Sequence, residues 1–223
     1  MSASMTAPAP TVSPDNPLAE PSALPFQLPP FAGITLEHCR EALLAGMAEQ
    51  RSEVAAIVDS AEPPAFENTV LALERSGALL HRAWAVFGNL ASSVSTPRTR
   101  EIEREIAPLE AAHDDAIRLA PALFARIDAV HDNRNDSGLD AEAIRLVERY
   151  HLDFVLSGAR LDDAGRARLT ELNQELSELS TSFGQNLQLA SEAAAVRVAD
   201  AAELAGLSEE EVASAATAAA ERG

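Results

Sequence analysis

The chain has 223 residues, of which 47% are hydrophobic and 4% aromatic, and its formal net charge is −18 at pH 7. This length and apolar content exclude a wholly disordered chain and allow a buried core, and no apolar run is long enough to predict a membrane span. With 17 basic against 35 acidic residues, nucleic acid and anionic membrane surfaces are disfavoured as partners, because both are bound through Lys and Arg.

The first 27 residues are rich in Pro, Ser and Ala and lack the basic and apolar regions of a secretory signal. We therefore expect a flexible lead-in over residues 1–27 and a helical region over residues 28–223. The single cysteine, Cys39, cannot form an internal disulfide, which favours a cytoplasmic protein. Cys39 also lies at an apolar helix position, where we interpret it as a buried small side chain rather than a nucleophile.

Two helices are predicted at the start of the helical region. Thr35 can cap the first, which ends near Ser60 before two prolines. Asn68 or Thr69 can cap the second. The apolar residues of this second helix step by threes and fours, as in a helix packed along a neighbour, at Val70, Leu73, Gly77, Leu80, Trp84 and Phe87. A glycine inside such a stripe indicates a close backbone crossing at Gly77.

The central part of the sequence predicts two more helices and a loop. Thr96 and Pro97 open the first of these, and Pro108 should kink it. Its stripe consists of Ile102, Ile106, Leu109, His113 and Ile117. A shorter helix follows Pro121, and the polar run 131–138 predicts a loop.

The remaining elements complete an all-α prediction. Asp140 can cap a helix that closes near Gly158, and Asp162 or Asp163 can start the longest one. The apolar seam of this longest helix consists of Leu169, Leu172, Leu176, Leu179, Phe183 and Leu187. Residues 196–198 form either a short strand or an extended link, and a capping box opens the last helix at Ser208. We expect long antiparallel helices and helical hairpins joined by short turns.

No residue pattern in the sequence predicts a reaction centre. None of the five histidines is paired with another four residues away, the spacing that lets two imidazoles on one helix share a zinc ion. His113 with Asp114 and Asp115 comes nearest to a ligand cluster, but adjacent helical residues point apart, and we interpret the three as a solvated face. We interpret His81 and His151 as packed or hydrogen-bonded structural side chains.

Two other polar stretches also have plainer interpretations. The glycines between residues 158 and 165 are too few for a phosphate-binding loop, and the stretch lacks its lysine. Three glutamates at 209–211 suit the positive end of a helix dipole better than a metal. The sequence therefore assigns no catalytic, cofactor-binding or metal-binding residue.

Four long stretches are nevertheless specific enough to support a family resemblance: "LPPFAGITLEHCREAL", "PPAFENTVLALERSGALL", "LDAEAIRLVERYHLDFVLSGARLD" and "ELAGLSEEEVASAATAAAERG". They resemble the N-terminal part of the thimet oligopeptidase family of zinc metallopeptidases, in the same order, from about Asn16 to Gly223. The second and third stretches are more similar to the peptidyl-dipeptidase branch of that family than to oligopeptidase A.

The resemblance implies a two-lobed helical body around a narrow channel, with these helices in the channel wall. It also implies that a zinc site, HExxH with a downstream glutamate, lies further along a longer chain, because this sequence contains no such motif. The complete enzyme would use zinc to remove C-terminal dipeptides from short oligopeptides. We expect the present chain to be a truncated piece that lacks the catalytic lobe, holds no cofactor and is inactive alone.

Two alternatives remain open. Trp84 and Phe87 are expected to be core residues, although the resemblance also allows them to line the channel. The chain as a whole can instead be a stand-alone helical module that binds peptides or a protein partner without hydrolysis.

Overall fold

The structure is a computed structural model that describes residues 10–222. Its helices are α1 (Leu36–Val58), α2 (Ala72–Arg75), α3 (Ala78–Ser93), α4 (Pro97–Arg118), α5 (Pro121–Asp132), α6 (Ala141–Leu156), α7 (Asp163–Ala193) and α8 (Glu209–Arg222). Short 3₁₀ turns lie at Pro25–Gln27, Phe31–Gly33 and Ala201–Leu204. No strand forms among the described residues, and the all-α prediction is confirmed.

The chain divides into two compact units, Met1–Ser182 and Phe183–Gly223. The first contains α1 to α6 and the N-terminal part of α7. The second contains the rest of α7, an irregular link that includes residues 196–198, and α8. These three residues therefore belong to a link and not to a strand. The predicted capping box of α8 is present, since Oε2 of Glu211 accepts from the Ser208 amide at 2.7 Å.

The predicted N-terminal caps form in the first unit as well. The hydroxyl of Thr35 accepts from the amide of His38 at 3.2 Å, and Asp140 accepts from the amide of Ala143 at 2.8 Å. Asp162 accepts from the amide of Gly165 at 2.7 Å and so caps α7. Each bond satisfies one of the amides that the first turn of a helix leaves free.

The predicted second helix is broken at Ser76 and Gly77, which corrects the sequence analysis. It begins as a π-helical segment, Phe66–Leu71, continues as α2 and resumes as α3. Ser76 is extended (ψ 156°), and Gly77 has φ 72°, a left-handed conformation that glycine adopts without strain. The close backbone crossing lies elsewhere, at Gly46 of α1, where an added Cβ would meet the amide nitrogen of Leu80 at 2.7 Å.

α1 and α3 form the centre of the larger hydrophobic core. This core includes Cys39, Leu43, Met47, Leu80, Val86, Phe87, Ile102 and Ile106, all of them buried. A second cluster joins the C-terminal part of α1 to α5 and α6 through residues such as Ile57, Leu123, Ile127 and Phe154. The α4 stripe is buried as predicted except at Leu109, which is 43% exposed. Pro108 lies within α4, which is helical on both sides of it.

Part of the segment predicted to be a flexible lead-in packs on this core. Leu18 is 1% exposed. The side-chain amide of Asn16 donates to the carboxylate of Glu41 at 2.8 Å and to the backbone carbonyl of His38 at 2.9 Å. Arg82 of α3 donates to the carbonyls of Leu18 and Ala19, both at 2.9 Å. The expected boundary at residue 27 therefore falls too late, while residues 1–9 of the expected lead-in lie outside the described range.

Candidate functional site

The structure separates His113 from its acidic neighbours instead of gathering the three into a ligand cluster. Within the described part of the chain, no group of three or more His, Cys, Asp or Glu side chains is placed to hold a metal ion. Asp114 is exposed while His113 is 1% exposed, so these neighbours do point apart as predicted. The interpretation of His113 as part of a solvated face is wrong, because its position in the α4 stripe places it in the interior.

His113 belongs to a polar network between α4, α1 and the break before α3. Its Nε2 lies 2.8 Å from Oε1 of Gln50, and the Gln50 amide donates to the hydroxyl of Ser76 at 3.2 Å. Glu53, one turn further along α1, accepts from the amide of Gly77 at 2.7 Å. Burial, assisted by the charge of Arg51, lowers the pKa of His113. This network holds the extended Ser76 and left-handed Gly77 in place.

A second polar cluster joins α5 to α6. The rings of His131 and His151 stack with centroids 3.8 Å apart, and Nε2 of His151 lies 2.9 Å from Oδ1 of Asp128. Phe124 also stacks on His151, with ring centroids 5.7 Å apart. Burial and the neighbouring His151 and Arg134 lower the pKa of His131. The structural interpretation of His151 is therefore confirmed, whereas His81 is exposed and that part of the prediction is wrong.

The π-helical segment is anchored by a buried arginine. Arg126 of α5 is 8% exposed and donates to the carbonyls of Ser60 at 3.2 Å and Glu62 at 3.3 Å. It also donates to Oδ1 of Asn68 at 3.2 Å, while the same oxygen accepts from the amide of Ala65 at 2.9 Å. Asn68 therefore caps this segment from inside its first turn. Its side chain accepts from the amide of Ala65, the residue that precedes the segment.

An open cleft of about 440 Å³ lies beside this anchored segment and is here called the α1 cleft. Its walls come from α1, the π-helical segment and α2, and they include Glu53, Ile57, Ser60, Asn68 and Arg75. A second cleft of about 360 Å³ lies among α4, α6 and the start of α7, with Asp115, Arg118, Leu156 and Asn173 in its lining. Each cleft is lined by charged groups of both signs beside apolar carbon.

Helix α7 packs with its polar side inward within the first unit. Asn173 donates to Asp115 of α4 at 2.7 Å, and Ser177 donates to the carbonyl of Ala107 at 3.0 Å. Of the leucines of the predicted seam, Leu169 is half-buried beside Gly158, whereas Leu172, Leu176 and Leu179 are 44%, 62% and 60% exposed. Within the first unit, the seam is therefore covered at Leu169 and exposed beyond it.

Other predicted positions lie in the interior. Cys39 is fully buried, and its burial raises the pKa of the thiol to about 11, which confirms the small-hydrophobe interpretation. Phe87 is fully buried and Trp84 packs beside it, with ring centroids 5.7 Å apart, in agreement with the core interpretation. No helix among the described residues is long and apolar enough to cross a membrane.

The sequence analysis missed Arg126 and the stacked histidine pair. The only available signal was the position of Arg126 between the apolar residues Leu123 and Ile127 on one helix. A charged side chain at such a position needs a buried partner, but the carbonyls that satisfy it lie 64 and 66 residues away in the sequence.

Comparison with known proteins gives a consistent set of relatives, although no protein-family profile matches the chain. The chain is 42% identical to dipeptidyl carboxypeptidase of Escherichia coli over 208 residues, which are 93% of this chain and 30% of that protein. It is 44% identical to the dipeptidyl carboxypeptidase of Salmonella typhimurium over 93% of its length and 31% of that protein. Similarity to E. coli oligopeptidase A is lower, 28% over 89% of the chain and 29% of the relative. The chain thus spans about 30% of the length of these curated relatives and matches their N-terminal part.

Proposed function

Because the chain belongs to the dipeptidyl carboxypeptidase and oligopeptidase A family, of which it matches the N-terminal part, we propose that it forms part of the wall of a peptidase for short oligopeptides. The 42% identity over 93% of the chain carries this proposal. Identity to the dipeptidyl carboxypeptidases exceeds that to oligopeptidase A, which supports removal of C-terminal dipeptides as the activity of the complete enzyme.

We assign the chemistry of the reaction to the part of the full-length relatives that this chain does not match. The described residues do not fit a zinc ion, because they offer no convergent set of ligands. This chain then contributes shape and binding surface: the clefts beside α1 and α7 contact an extended substrate, and rigid helices exclude folded proteins. We place the complete enzyme in the cytoplasm, a location consistent with a single, fully buried cysteine.

A chimeric enzyme tests this proposal. In it, the present chain replaces the matching N-terminal segment of E. coli dipeptidyl carboxypeptidase, and dipeptide release from short peptides is measured with and without a chelator. We expect chelator-sensitive activity from the chimera and neither activity nor stoichiometric zinc from the 223-residue chain alone. Zinc-dependent hydrolysis by the chain alone would contradict the division of roles.

A binding module without hydrolysis is the second candidate. The two open clefts, with charged groups of both signs on their rims, favour it. Under this alternative, the isolated chain binds peptides with a Kd below about 1 mM, and the chimera folds cooperatively but does not cleave them. Dipeptide release by the chimera separates the two candidates, and isothermal titration of the chain with the same peptides tests the binding that the second one requires.

A further inference from the structure

The two stacked histidines between α5 and α6, His131 and His151, are here called the histidine pair, and their nitrogen atoms have different surroundings. Nε2 of His151 donates to Oδ1 of Asp128 at 2.9 Å, because an ionised carboxylate can only accept. Nδ1 of His131 is buried and lies 3.8 Å from Oδ1 of Asp132, and it has no hydrogen-bond partner among the described residues. A positive charge on His151 is therefore held by a carboxylate at hydrogen-bond distance, whereas one on His131 is not.

Two arginines complete the charged surroundings of the histidine pair. Arg160, which follows α6, lies 3.7 Å from the oxygen of Asp128 that His151 contacts. Arg134, which follows α5, donates to Glu148 of α6 at 3.4 Å. The carboxylate that each helix contributes near the pair, Asp128 on α5 and Glu148 on α6, is therefore already shared with an arginine.

His131 is the less favourable position for an added proton. Its carbonyl accepts from the guanidinium of Arg134 at 2.6 Å, which brings this positive charge close to the ring. Burial, followed by the charges of His151 and Arg134, lowers the pKa of His131, and Asp132 and Asp128 oppose this effect only in part. The surroundings thus disfavour a charged His131 most strongly when His151 is already charged.

The stack itself is compatible with one positive charge but not with two. The ring centroids are 3.8 Å apart, and the ring planes differ by 11°. A cation is attracted to the face of an aromatic ring, so one imidazolium can stack on a neutral imidazole. Two imidazolium rings at this distance repel each other. Water screens the repulsion only in part, because 21% and 13% of the two side chains are exposed.

We propose that the histidine pair is a pH-sensitive switch at the C-terminal end of α5. The rings stay stacked when the pair has no added proton or one, and a second proton separates them and releases the end of α5 from α6. His131 lies in the last turn of α5, next to the loop of residues 133–140 that leads to α6, so the released segment is short. The inference goes beyond the proposed function and does not depend on it.

NMR titration of the 223-residue chain, with the imidazole Cε1 protons of both histidines assigned, tests the limit of one proton. We expect the pair to titrate in two steps with midpoints at least about 1 pH unit apart. The ring-current shifts that each imidazole induces in the other should persist through the first step and disappear in the second. Rings that take up their protons in a single step, or that stay stacked when both are charged, would overturn the proposal.

Amide protection factors measured across the same pH range test the release of α5. In the second step, protection over residues 126–132 should fall at least about tenfold, while α1 keeps its protection. An equal fall in α1 would mean that acid unfolds the whole first unit instead of releasing this helix end, and it would overturn the switch.

His131→Phe separates charge from stacking, because phenylalanine keeps an aromatic ring against His151 but takes up no proton. This variant should show one titration step and keep residues 126–132 protected at the acid pH where wild type loses its protection. The matched control is His81→Phe, at an exposed histidine, which should change neither the two steps nor the release. If His131→Phe does not fold, His131→Gln replaces it, since glutamine takes up no proton either. Acid release that persists without an ionisable side chain at position 131 would overturn the proposal.

Discussion

Gly46 of α1 lies directly against the backbone of Leu80 of α3. A Cβ added at Gly46 would come within 2.7 Å of the Leu80 nitrogen and 2.8 Å of its Cα. Both atoms belong to the backbone, so a rotamer change cannot relieve the contact. The closeness of the two central helices in the larger core therefore depends on a hydrogen atom at this one position.

Gly46→Ala should push α1 and α3 apart and lower the free energy of unfolding by about 1–3 kcal/mol, the usual cost of overpacking a core. Urea denaturation followed by far-UV circular dichroism measures the change. Gly88→Ala is the matched control, because Gly88 lies within α3 with nothing inside 4 Å of the added atom. That substitution should raise the free energy of unfolding by up to about 1 kcal/mol through helix propensity. Equal effects at the two positions would contradict the close crossing.

Stability should depend on pH through His113. Its pKa is lowered in the folded protein, so the unfolded chain takes up a proton first as the pH falls, and stability is lost below the unfolded pKa of about 6.5. We compare wild type with His113→Gln, and with His81→Gln as a control at an exposed histidine. The difference in free energy of unfolding between wild type and His113→Gln should shrink as the pH falls from about 7.5 to about 5.5, by at most about 1.4 kcal/mol per pH unit. If wild type instead became more stable relative to His113→Gln on acidification, a neutral buried imidazole would be ruled out.

Glu110 should have the opposite pH dependence. This half-buried carboxyl on α4 has no hydrogen bond or ion pair among the described side chains, and burial together with Asp114 raises its pKa to about 7. The unfolded chain loses this proton at a lower pH, so Glu110 destabilises the fold increasingly between about pH 4.5 and pH 7. Glu110→Gln should raise the free energy of unfolding by about 1 kcal/mol at pH 8, after allowance for solvent screening, and by nothing below about pH 4.

The Asp114→Asn variant separates the two causes of this shift. It removes the neighbouring charge but leaves the burial of Glu110 unchanged. Titration of Glu110 by NMR should therefore show a smaller rise of its pKa that does not vanish. A Glu110 pKa near 4.5 in the wild-type protein would contradict the burial of this carboxyl.

Arg126→Met should free the carbonyls of Ser60 and Glu62 and release the π-helical segment. Because the lost bonds are buried and charge-assisted, we expect a loss of about 2–4 kcal/mol in stability. Amide hydrogen exchange should accelerate mainly over residues 60–71. A general loss of packing would instead accelerate exchange throughout the first unit. Arg118→Met, at an exposed arginine, should cost less than about 0.5 kcal/mol, and Arg126→Lys should recover part of the loss.

Local features of the fold were predictable from the sequence because the interacting groups are close in the chain. The caps at Thr35, Asp140 and Asp162 each join a side chain to an amide three residues on. The break at Ser76 and Gly77 was not predictable from periodicity, because apolar residues continue at helical spacing on both sides of it. Its cause lies on α1, where Gln50 and Glu53 bind the two residues that leave the helix.

Features that depend on distant partners were predicted less well. His113 was interpreted together with Asp114 and Asp115 as part of a solvated face. Its position in the apolar stripe of α4 indicated the observed burial correctly. The leucine seam of α7 was recognised, but periodicity does not state which neighbour a seam contacts. The absence of a catalytic or metal-binding residue in this chain stays a prediction, and the chimera and the zinc measurement test it.

The contact of residues 16–19 with α3 has a consequence for how this protein is made. Arg82 reaches back across 63 and 64 residues to the carbonyls of Ala19 and Leu18. A ribosome synthesises Leu18 before the helix whose arginine binds its carbonyl, so these two hydrogen bonds cannot form until α3 has emerged. Closing the larger core therefore requires one of its earliest synthesised pieces to return to helices that are made after it.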